Sequence, residues 1–270
     1  MSYSDLNIHL PFPGLCGQML EDETQLSGSK LIDRFHFAVE SAGSNMQGAN
    51  IMLFNQDLAL NDIKKLASAA SLGQVQDLFF TFLSSPERIL SFDDLSELSL
   101  AGISAVKFHS YRQKISSSHF SKFLSIAKWA EGLQMPILID ASFGSLQMYQ
   151  YDNLRLIACI AEQVSRVPIV ILHSGGARAI EAMLLAESAT NIFLDMSFSI
   201  PYYLGSSVEQ DYAFAYKKIG VDRVVYGSDY PYLSHDKSLL TALEFCERNG
   251  FTEAHKSWLF RDTFRRIFSH

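Results

Sequence analysis

The chain has few cysteines, no long apolar run and no excess of positive charge, and each shortage excludes a class of protein. Its three cysteines, Cys16, Cys159 and Cys246, are far apart and have no CxxC spacing, which indicates reduced thiols rather than a disulfide framework. The longest apolar runs, such as PIVIL at 168–172, are far too short for a membrane span. The first ten residues also lack the basic and apolar regions of a signal peptide.

Charge and composition narrow the class further. The net charge of -7 and the pI near 5.6 disfavour broad contact with nucleic acid or anionic membranes. The chain has 270 residues, of which 48% are hydrophobic and 19% charged, so it can bury a sizeable core. No linker or low-complexity tract interrupts it. We therefore expect one cytoplasmic domain spanning residues 1–270 that binds a small molecule.

Short β-type runs recur at regular intervals and alternate with helix-like segments. Several runs are continuously apolar, which is typical of parallel strands buried on both faces. Their spacing of roughly 25–45 residues is that of a βαβ unit. The eight runs predict a (β/α)8 TIM barrel, and they lie at 6–10, 49–54, 77–83, 103–109, 136–140, 168–173, 191–195 and 222–227. A doubly wound sheet is the alternative, but its glycine-rich phosphate fingerprint is absent.

Polar side chains stand where five of these strands end. In a barrel of parallel strands, catalytic groups lie at the carboxyl ends of the strands. Each position taken alone has an ordinary explanation, because a single histidine or aspartate often caps a helix or hydrogen-bonds a turn. Together they indicate one functional site, whose members are Asn7 and His9 at the end of strand 1, Lys107 and His109 at the end of strand 4, Asp140 at the end of strand 5, His173 at the end of strand 6 and Asp229 just after strand 8.

Two arginines near this site are candidates for binding an anionic substrate. Lys107, His109 and Arg112 form a basic cluster in KFHSYRQ at 107–113, and a guanidinium binds carboxylate or phosphate in a bidentate way. A solvated group of loop charges explains Arg112 equally well. Arg178, just after HSGG, is a second anion-binding candidate at a helix N-terminus. The long connection at 11–30 fits either a lid over the barrel mouth or a surface insertion.

Several segments, taken in chain order, resemble the amidohydrolase superfamily, specifically its amidohydrolase-related (family 2) branch. RVVYGSDYP at 223–231, PIVILHSGG at 168–176 and LAGISAVKFHSYRQ at 100–113 are similar to the family's strand-8, strand-6 and strand-4 segments. Two positions depart from the family pattern. The usual Asp-x-His-x-His is here Asp5-Leu6-Asn7-Ile8-His9, and Asp140 stands where the strand-5 ligand is usually His.

The resemblance implies a metal-dependent hydrolase that acts on an ester, lactone or amide of a small anionic substrate. Asp229 would be the general base and proton shuttle, with His173 and Lys107 as further catalytic groups. The expected metal, Zn or Mn, would be held by His9, Asp140, Asp229 and His173. The expected substrate contacts are Asn7, His109, Arg112 and Arg178. Because amide and carboxylate oxygens replace imidazoles, a harder ion than zinc, or no ion, also fits these residue types.

Three alternatives stay open at this point. A non-oxidative decarboxylase would use the same barrel, a lactonase would work without metal, and a degenerate barrel would bind a ligand without catalysis. The changes at Asn7 and Asp140 motivate the last alternative, and the retention of His9, Lys107, His173 and Asp229 argues against it. A homodimer is compatible with this barrel type, although no stretch of the sequence argues for one.

Overall fold

Eight parallel strands alternate with helices in the computed structural model, which describes residues 1–10, 23–73 and 75–269. The strands pair in chain order, each parallel to the next. They are β1 (Tyr3–Ile8), β2 (Met46–Leu53), β3 (Asp77–Leu83), β4 (Ala105–His109), β5 (Ile137–Asp140), β6 (Ile169–Leu172), β7 (Ile192–Asp195) and β8 (Val224–Val225).

Backbone hydrogen bonds between β1 and the segment that follows β8 close this sheet. The Leu6 amide donates to the Tyr226 carbonyl at 3.1 Å, and the His9 amide donates to the Tyr230 carbonyl at 2.7 Å. Ile8 and Tyr230 form a parallel bridge at the same seam. The fold is therefore a single-domain (β/α)8 barrel, which confirms the prediction.

The helices surround the barrel on its outer face. They are α1 (Gly28–Ser41), α2 (Leu60–Ala70), α3 (Phe92–Ala101), α4 (Phe120–Gly132), α5 (Asn153–Ala161), α6 (Ala179–Ser188), α7 (Ser199–Tyr203), α8 (Ser207–Ile219), α9 (His235–Arg248), α10 (Glu253–Ser257) and α11 (Thr263–Phe268). Their buried faces carry the apolar stripes of the sequence; in α4 these are Phe123, Ile126, Ala127 and Ala130.

The predicted elements match these bounds with small shifts. β1 and β2 both begin three residues earlier than their apolar runs suggested. β1 also ends at Ile8, so His9 lies just beyond the strand rather than inside it. The connection proposed as a lid falls largely on residues 11–22, which lie outside the described residues together with Cys16. In the described part of the chain, no helix is long and apolar enough to cross a membrane.

The core has two parts, one between the strands and the helices and one inside the barrel. Inside, apolar side chains of successive strands fill the lumen, including Leu6, Met52, Leu138, Val170 and Phe193. Phe264 and Ile267 of α11 belong to the same cluster. The barrel interior is thus filled largely by apolar side chains. Polar side chains gather at the end of the barrel where the strands have their carboxyl termini.

Gly48 lies where the core packing leaves no room for a side chain. A methyl group on Gly48 of β2 would stand 2.6 Å from Ser4 Oγ and 2.8 Å from Phe264 Cε1. We expect Gly48→Ala to lower the free energy of unfolding by about 1–3 kcal/mol, because an added methyl overpacks the site. Urea denaturation measures the change. The matched control is Gly132→Ala at the end of α4, where the nearest atom is a Phe92 ring edge at 3.2 Å; an equal loss there would contradict the explanation.

Candidate active site

A cavity of about 220 Å³ opens at the carboxyl end of the strands. Six of the predicted site residues share its wall, and they come from the ends of β1, β4, β5 and β6 and from the turn after β8. The full lining is His9, Lys107, His109, Tyr111, Asp140, Ser142, Met148, His173, Phe198, Asp229 and Tyr232. The structure therefore brings together side chains that lie up to 220 residues apart in sequence.

The backbone at two of the six predicted site residues adopts the left-handed conformation that is uncommon outside glycine. The φ angle is 60° at His173 and 59° at Asp229. Hydrogen bonds hold both, since the Asp229 amide donates to the Asn7 carbonyl at 2.9 Å and the His173 amide donates to Asp195 Oδ2 at 2.9 Å. Such conformations cost of the order of 1–3 kcal/mol each and cluster at functional sites.

A buried chain of hydrogen bonds runs from Asp195 to Asp229. The Ser197 hydroxyl donates to Asp195 Oδ2, so its oxygen is left to accept from the Asn7 amide nitrogen at 3.0 Å. The second proton of that nitrogen is directed to Asp229 Oδ1, also at 3.0 Å. Asn7 is thus a donor to the carboxylate. Burial raises the pKa of Asp229, while His173, His9 and Lys107 oppose the shift.

Asp140 and His173 form a second buried pair. The His173 Nε2 lies 3.2 Å from Asp140 Oδ2 and its Nδ1 lies 3.1 Å from the Ser197 carbonyl, so both ring nitrogens face acceptors and both donate. Although burial alone favours the neutral ring, Asp140 and the nearby Asp229 and Asp195 raise the pKa of His173 to about 9. Burial likewise favours neutral Asp140, but His109 and His173 hold its pKa well below the usual range.

His9 is oriented by a residue that the sequence did not indicate. Its Nδ1 lies 2.9 Å from Oε1 of the buried Glu23, a carboxylate that accepts the Nδ1 proton. The opposite nitrogen, Nε2, lies 3.6 Å from Asp229 Oδ1. Burial and the nearby Lys107 lower the pKa of His9 to about 3. The ring is therefore neutral, with an acceptor nitrogen on the side of Asp229.

His109 and Lys107 complete the wall on the β4 side. The His109 Nε2 lies 3.6 Å from Asp140 Oδ2, and burial lowers the pKa of His109 to about 3 despite that carboxylate. Lys107 is buried, and its Nζ stands 4.7 Å from the centre of the Phe54 ring. Burial lowers the pKa of Lys107, and the surrounding carboxylates, led by Asp140 and Asp229, oppose this shift.

The two arginines lie outside this cavity. Arg112 lines a neighbouring cleft of about 470 Å³, and its Cζ lies 4.8 Å from the Phe54 ring centre. Arg178 directly precedes α6, as predicted, but its guanidinium pairs with Asp152 at 3.1 Å and Glu181 at 2.6 Å. The structure therefore does not bring Arg178 to the cavity, because two carboxylates already hold it.

The donor set does not fit a divalent metal. In the chain as described, with its gaps at 11–22 and 74, no group of three or more His, Cys, Asp or Glu side chains is arranged to hold an ion. Asn7 directs an N–H, not an oxygen, at Asp229, His173 directs its Nε2 proton at Asp140, and Lys107 adds a cation. The Zn or Mn ion expected at His9, Asp140, Asp229 and His173 therefore lacks a suitable set of ligands.

Sequence reasoning missed three residues that hold the site together. Asp195 ends β7 in NIFLD, so the same strand-end rule that found Asp140 could have found it. Ser197 follows it by two residues, and its role depends on a hydrogen bond to Asn7, 190 positions away. Glu23 lies in a long connection with no motif around it. Only the fold shows that these side chains meet the site.

Comparison with known proteins decides the family. The family model described as Amidohydrolase, of type 2, matches residues 79–269, which is more than half of the chain. The chain belongs to this amidohydrolase family. It is accordingly an enzyme of the amidohydrolase superfamily, as the sequence motifs predicted. A search of curated protein sequences finds no match.

Solved structures of low sequence identity share the fold of this amidohydrolase. A probable 2-pyrone-4,6-dicarboxylic acid hydrolase from Acinetobacter baumannii, with citric acid bound, is 14% identical with a TM-score of 0.68, covering 100% of both chains. An amidohydrolase from Burkholderia multivorans is 12% identical with a TM-score of 0.67, covering 100% of this chain and 99% of that one. A 2,6-dihydroxybenzoate decarboxylase from Rhizobium is 11% identical with a TM-score of 0.64, at the same coverage.

The raised pKa of His173 predicts a pH-dependent contribution to stability. The folded protein holds a proton that the unfolded chain releases near pH 6.5, so the stabilisation is complete below that pH and is lost as the pH rises through about 9. We expect His173→Gln to lower the free energy of unfolding most below about pH 6.5, with the deficit shrinking between pH 6.5 and about pH 9. Histidine NMR titration and urea denaturation measure both effects. The exposed His36→Gln is the control, and a deficit for His173→Gln that stays constant with pH would contradict the imidazolium.

The donor set also predicts the metal content of the protein. Protein prepared without a polyhistidine tag or chelator should contain far less than one equivalent of Zn, Mn or Fe, and calorimetric titration with Zn²⁺ should show no tight site, because the ligands are engaged with one another. An equivalent of metal that survives dialysis, and that Asp229→Asn and His9→Asn both lose, would refute this reading of the ligands.

Proposed function

We propose that this chain is a hydrolase that adds water to the carbonyl of an ester, lactone or amide in a small anionic substrate, with Asp229 as general base. The observation that carries the proposal is the arrangement of Asp229 beside His9. The two acceptors, the Asp229 carboxylate and the neutral His9 Nε2, stand 3.6 Å apart in one cavity. They can orient a single water molecule through its two protons, which leaves an oxygen lone pair for attack.

The surroundings of Asp229 suit it to take a proton. Asn7 holds Oδ1, and Oδ2 accepts no hydrogen bond from the described residues. Burial raises the pKa of Asp229 toward the range in which a base can both accept and return a proton. Asp229 would accept the proton of the attacking water and then deliver it to the leaving oxygen or nitrogen. The metal-independent form of the reaction needs no other proton carrier.

Two cations in the same cavity account for substrate binding and for the developing negative charge. Both nitrogens of the His173 imidazolium are engaged with protein acceptors, so His173 acts through its charge. The Lys107 ammonium lines the cavity and has donors to offer. A buried donor aimed at an oxyanion typically contributes about 10²–10³-fold in rate. We assign the oxyanion to the Lys107 ammonium, with His109 in the same wall as a further substrate contact. Both protons of the Asn7 side-chain amide are engaged with Ser197 and Asp229.

The relatives support both parts of this proposal. The Acinetobacter protein is named as a hydrolase of a pyrone, which is a lactone, and it holds citric acid, a small carboxylated molecule. The cavity of about 220 Å³ suits substrates of that size. Lys107 and the His173 imidazolium supply positive charge in the cavity for such substrates, and Arg112 lines the neighbouring cleft.

A decarboxylase is the second candidate, because the same cations would bind the carboxylate that is lost. The observation in its favour is the apolar surface that Met148 and Phe198 present to the cavity, since a desolvated carboxylate loses carbon dioxide more readily. The Rhizobium relative is named as a decarboxylase. Release of carbon dioxide without the addition of water would establish this reaction in place of hydrolysis.

The test is a panel of small esters, lactones and amides, each in a carboxylated and a neutral form, followed by acid release. We expect the carboxylated members to be preferred. Asp229→Asn should lower kcat by about 10²–10⁴-fold, because it removes the general base but keeps the shape of the side chain. Asp33→Asn on the exposed face of α1 is the matched control and should not change the rate.

A variant Asp229→Asn that folds, by circular dichroism and thermal unfolding, and still turns over at the wild-type rate would end the proposed mechanism. If no member of the panel releases acid and carboxylated aromatic compounds release carbon dioxide instead, hydrolysis is replaced by the second candidate.

A further inference from the structure

Lys107 differs from the other charged groups of the cavity because the described residues give its Nζ no hydrogen-bond or ion-pair partner. Its side chain is 1% exposed and lines the cavity. Among the described residues no hydrogen bond or ion pair reaches its Nζ, whereas Asp140, His173, His9 and Asp229 are all engaged with one another. The neighbour of Nζ that the structure shows is the face of the Phe54 ring, at 4.7 Å.

Such surroundings favour an amine that reacts as a nucleophile. An ammonium that makes no hydrogen bond to the protein loses no bond when it gives up its proton, and burial lowers the pKa of Lys107 even against the nearby carboxylates. Desolvated lysines of this kind are the ones that form Schiff bases with carbonyl compounds. The position is also rigid, because Lys107 lies in the middle of β4 and pairs with Leu138 of β5.

The rest of the cavity supplies what a small carbonyl acid would need. The His173 imidazolium offers a positive charge for a carboxylate. Asp229, in the same wall, can give a proton to a departing hydroxyl and take one from nitrogen. A cavity of about 220 Å³ accepts a molecule of three or four carbons next to these groups.

We propose that Lys107 is an imine-forming site for small 2-oxo acids. The Nζ lone pair adds to the keto carbon, and a proton moves from nitrogen to the former carbonyl oxygen to give a carbinolamine. Asp229 then takes the remaining proton from nitrogen and delivers it to that hydroxyl, which leaves as water while the C=N bond forms. The net reaction joins the amine and the ketone with loss of one water, so no oxidant or metal is consumed. This activity goes beyond hydrolysis, which uses the ammonium form of Lys107.

The experiment is reductive trapping on the full-length native protein. The protein is incubated with pyruvate and sodium cyanoborohydride at neutral pH, and the carboxyethyl group left on each lysine is located by peptide mass mapping over time. We expect Lys107 to be labelled at least about tenfold faster than the exposed Lys122, since the cavity supplies both a nucleophilic amine and a carboxylate-binding charge. Propanal, which lacks the carboxylate, should lose most of this advantage.

Three controls separate the site from ordinary lysine chemistry. The same labelling in concentrated urea should remove the advantage of Lys107, because it comes from the fold. Lys107→Met should lose the fast label, and Lys122→Met should keep it. The comparison within the wild-type chain stands even if Lys107→Met fails to fold.

Equal labelling of Lys107 and Lys122 in the native protein, or slower labelling of Lys107, would overturn the proposal. The outcome is independent of hydrolysis, since trapping needs no turnover of an ester or lactone. If Lys107 is labelled fast but no ester, lactone or amide is hydrolysed, only the proposed hydrolysis is contradicted. If substrates are hydrolysed but Lys107 is not labelled faster than Lys122, only the imine site is contradicted.

Discussion

The hydrogen bonds that close the barrel between β1 and the turn after β8 are the constraint on which the rest of the site depends. The Asp5 carboxylate accepts from the amides of Asn7 at 3.1 Å and Ser228 at 2.8 Å, and the Asp229 amide donates to the Asn7 carbonyl. These hydrogen bonds join the first strand of the sheet to the turn after the last strand, at the point where Asn7 contacts Asp229. The contacts that close the barrel therefore also bring Asn7 and Asp229 together.

Pairing and hydrogen bonding explain why charged side chains can be buried at the mouth of a packed barrel. Isolated charges in an apolar interior are prohibitively costly, so they must be paired or hydrogen-bonded. Asp140 is balanced by His173, and Asp195 by the amides and the hydroxyl that it accepts from. Asp229 receives one proton from Asn7. Lys107 is the exception, because its charge is balanced by the carboxylates around it without a direct bond to any of them.

Asn7 shows how a single side chain changes the chemistry of a family site. An imidazole at this position would present a lone pair toward a shared metal, whereas the Asn7 amide presents a proton to Asp229 and another to Ser197. The Asp229 carboxylate is thereby held by a hydrogen bond from Asn7, which is compatible with the proton transfer proposed for it. Asp140, which stands in place of the usual strand-5 His, also disfavours metal coordination, because it pairs with His173 rather than joining a set of neutral ligands.

Much of the fold was predictable from the sequence because its signals are local. Continuous apolar runs mark buried parallel strands, and helical stripes such as that of α4 mark the outer layer. The boundaries of β1 were less predictable, because the strand buries the polar residues Ser4, Asp5 and Asn7. Hydrogen bonds hold the Asp5 and Asn7 side chains there. The family was predictable because its motifs are short and keep their order.

The sequence by itself determined the barrel, the family and six of the residues that line the cavity, since each of these six lies in or directly after the carboxyl-terminal part of an apolar strand. Only the tertiary structure decided what those residues do to one another. Whether Asn7 donates or coordinates depends on Ser197, which ring nitrogen of His9 carries the proton depends on Glu23, and whether Arg178 is available depends on Asp152. These are contacts between distant segments, and a linear pattern carries no information about the direction in which a proton points.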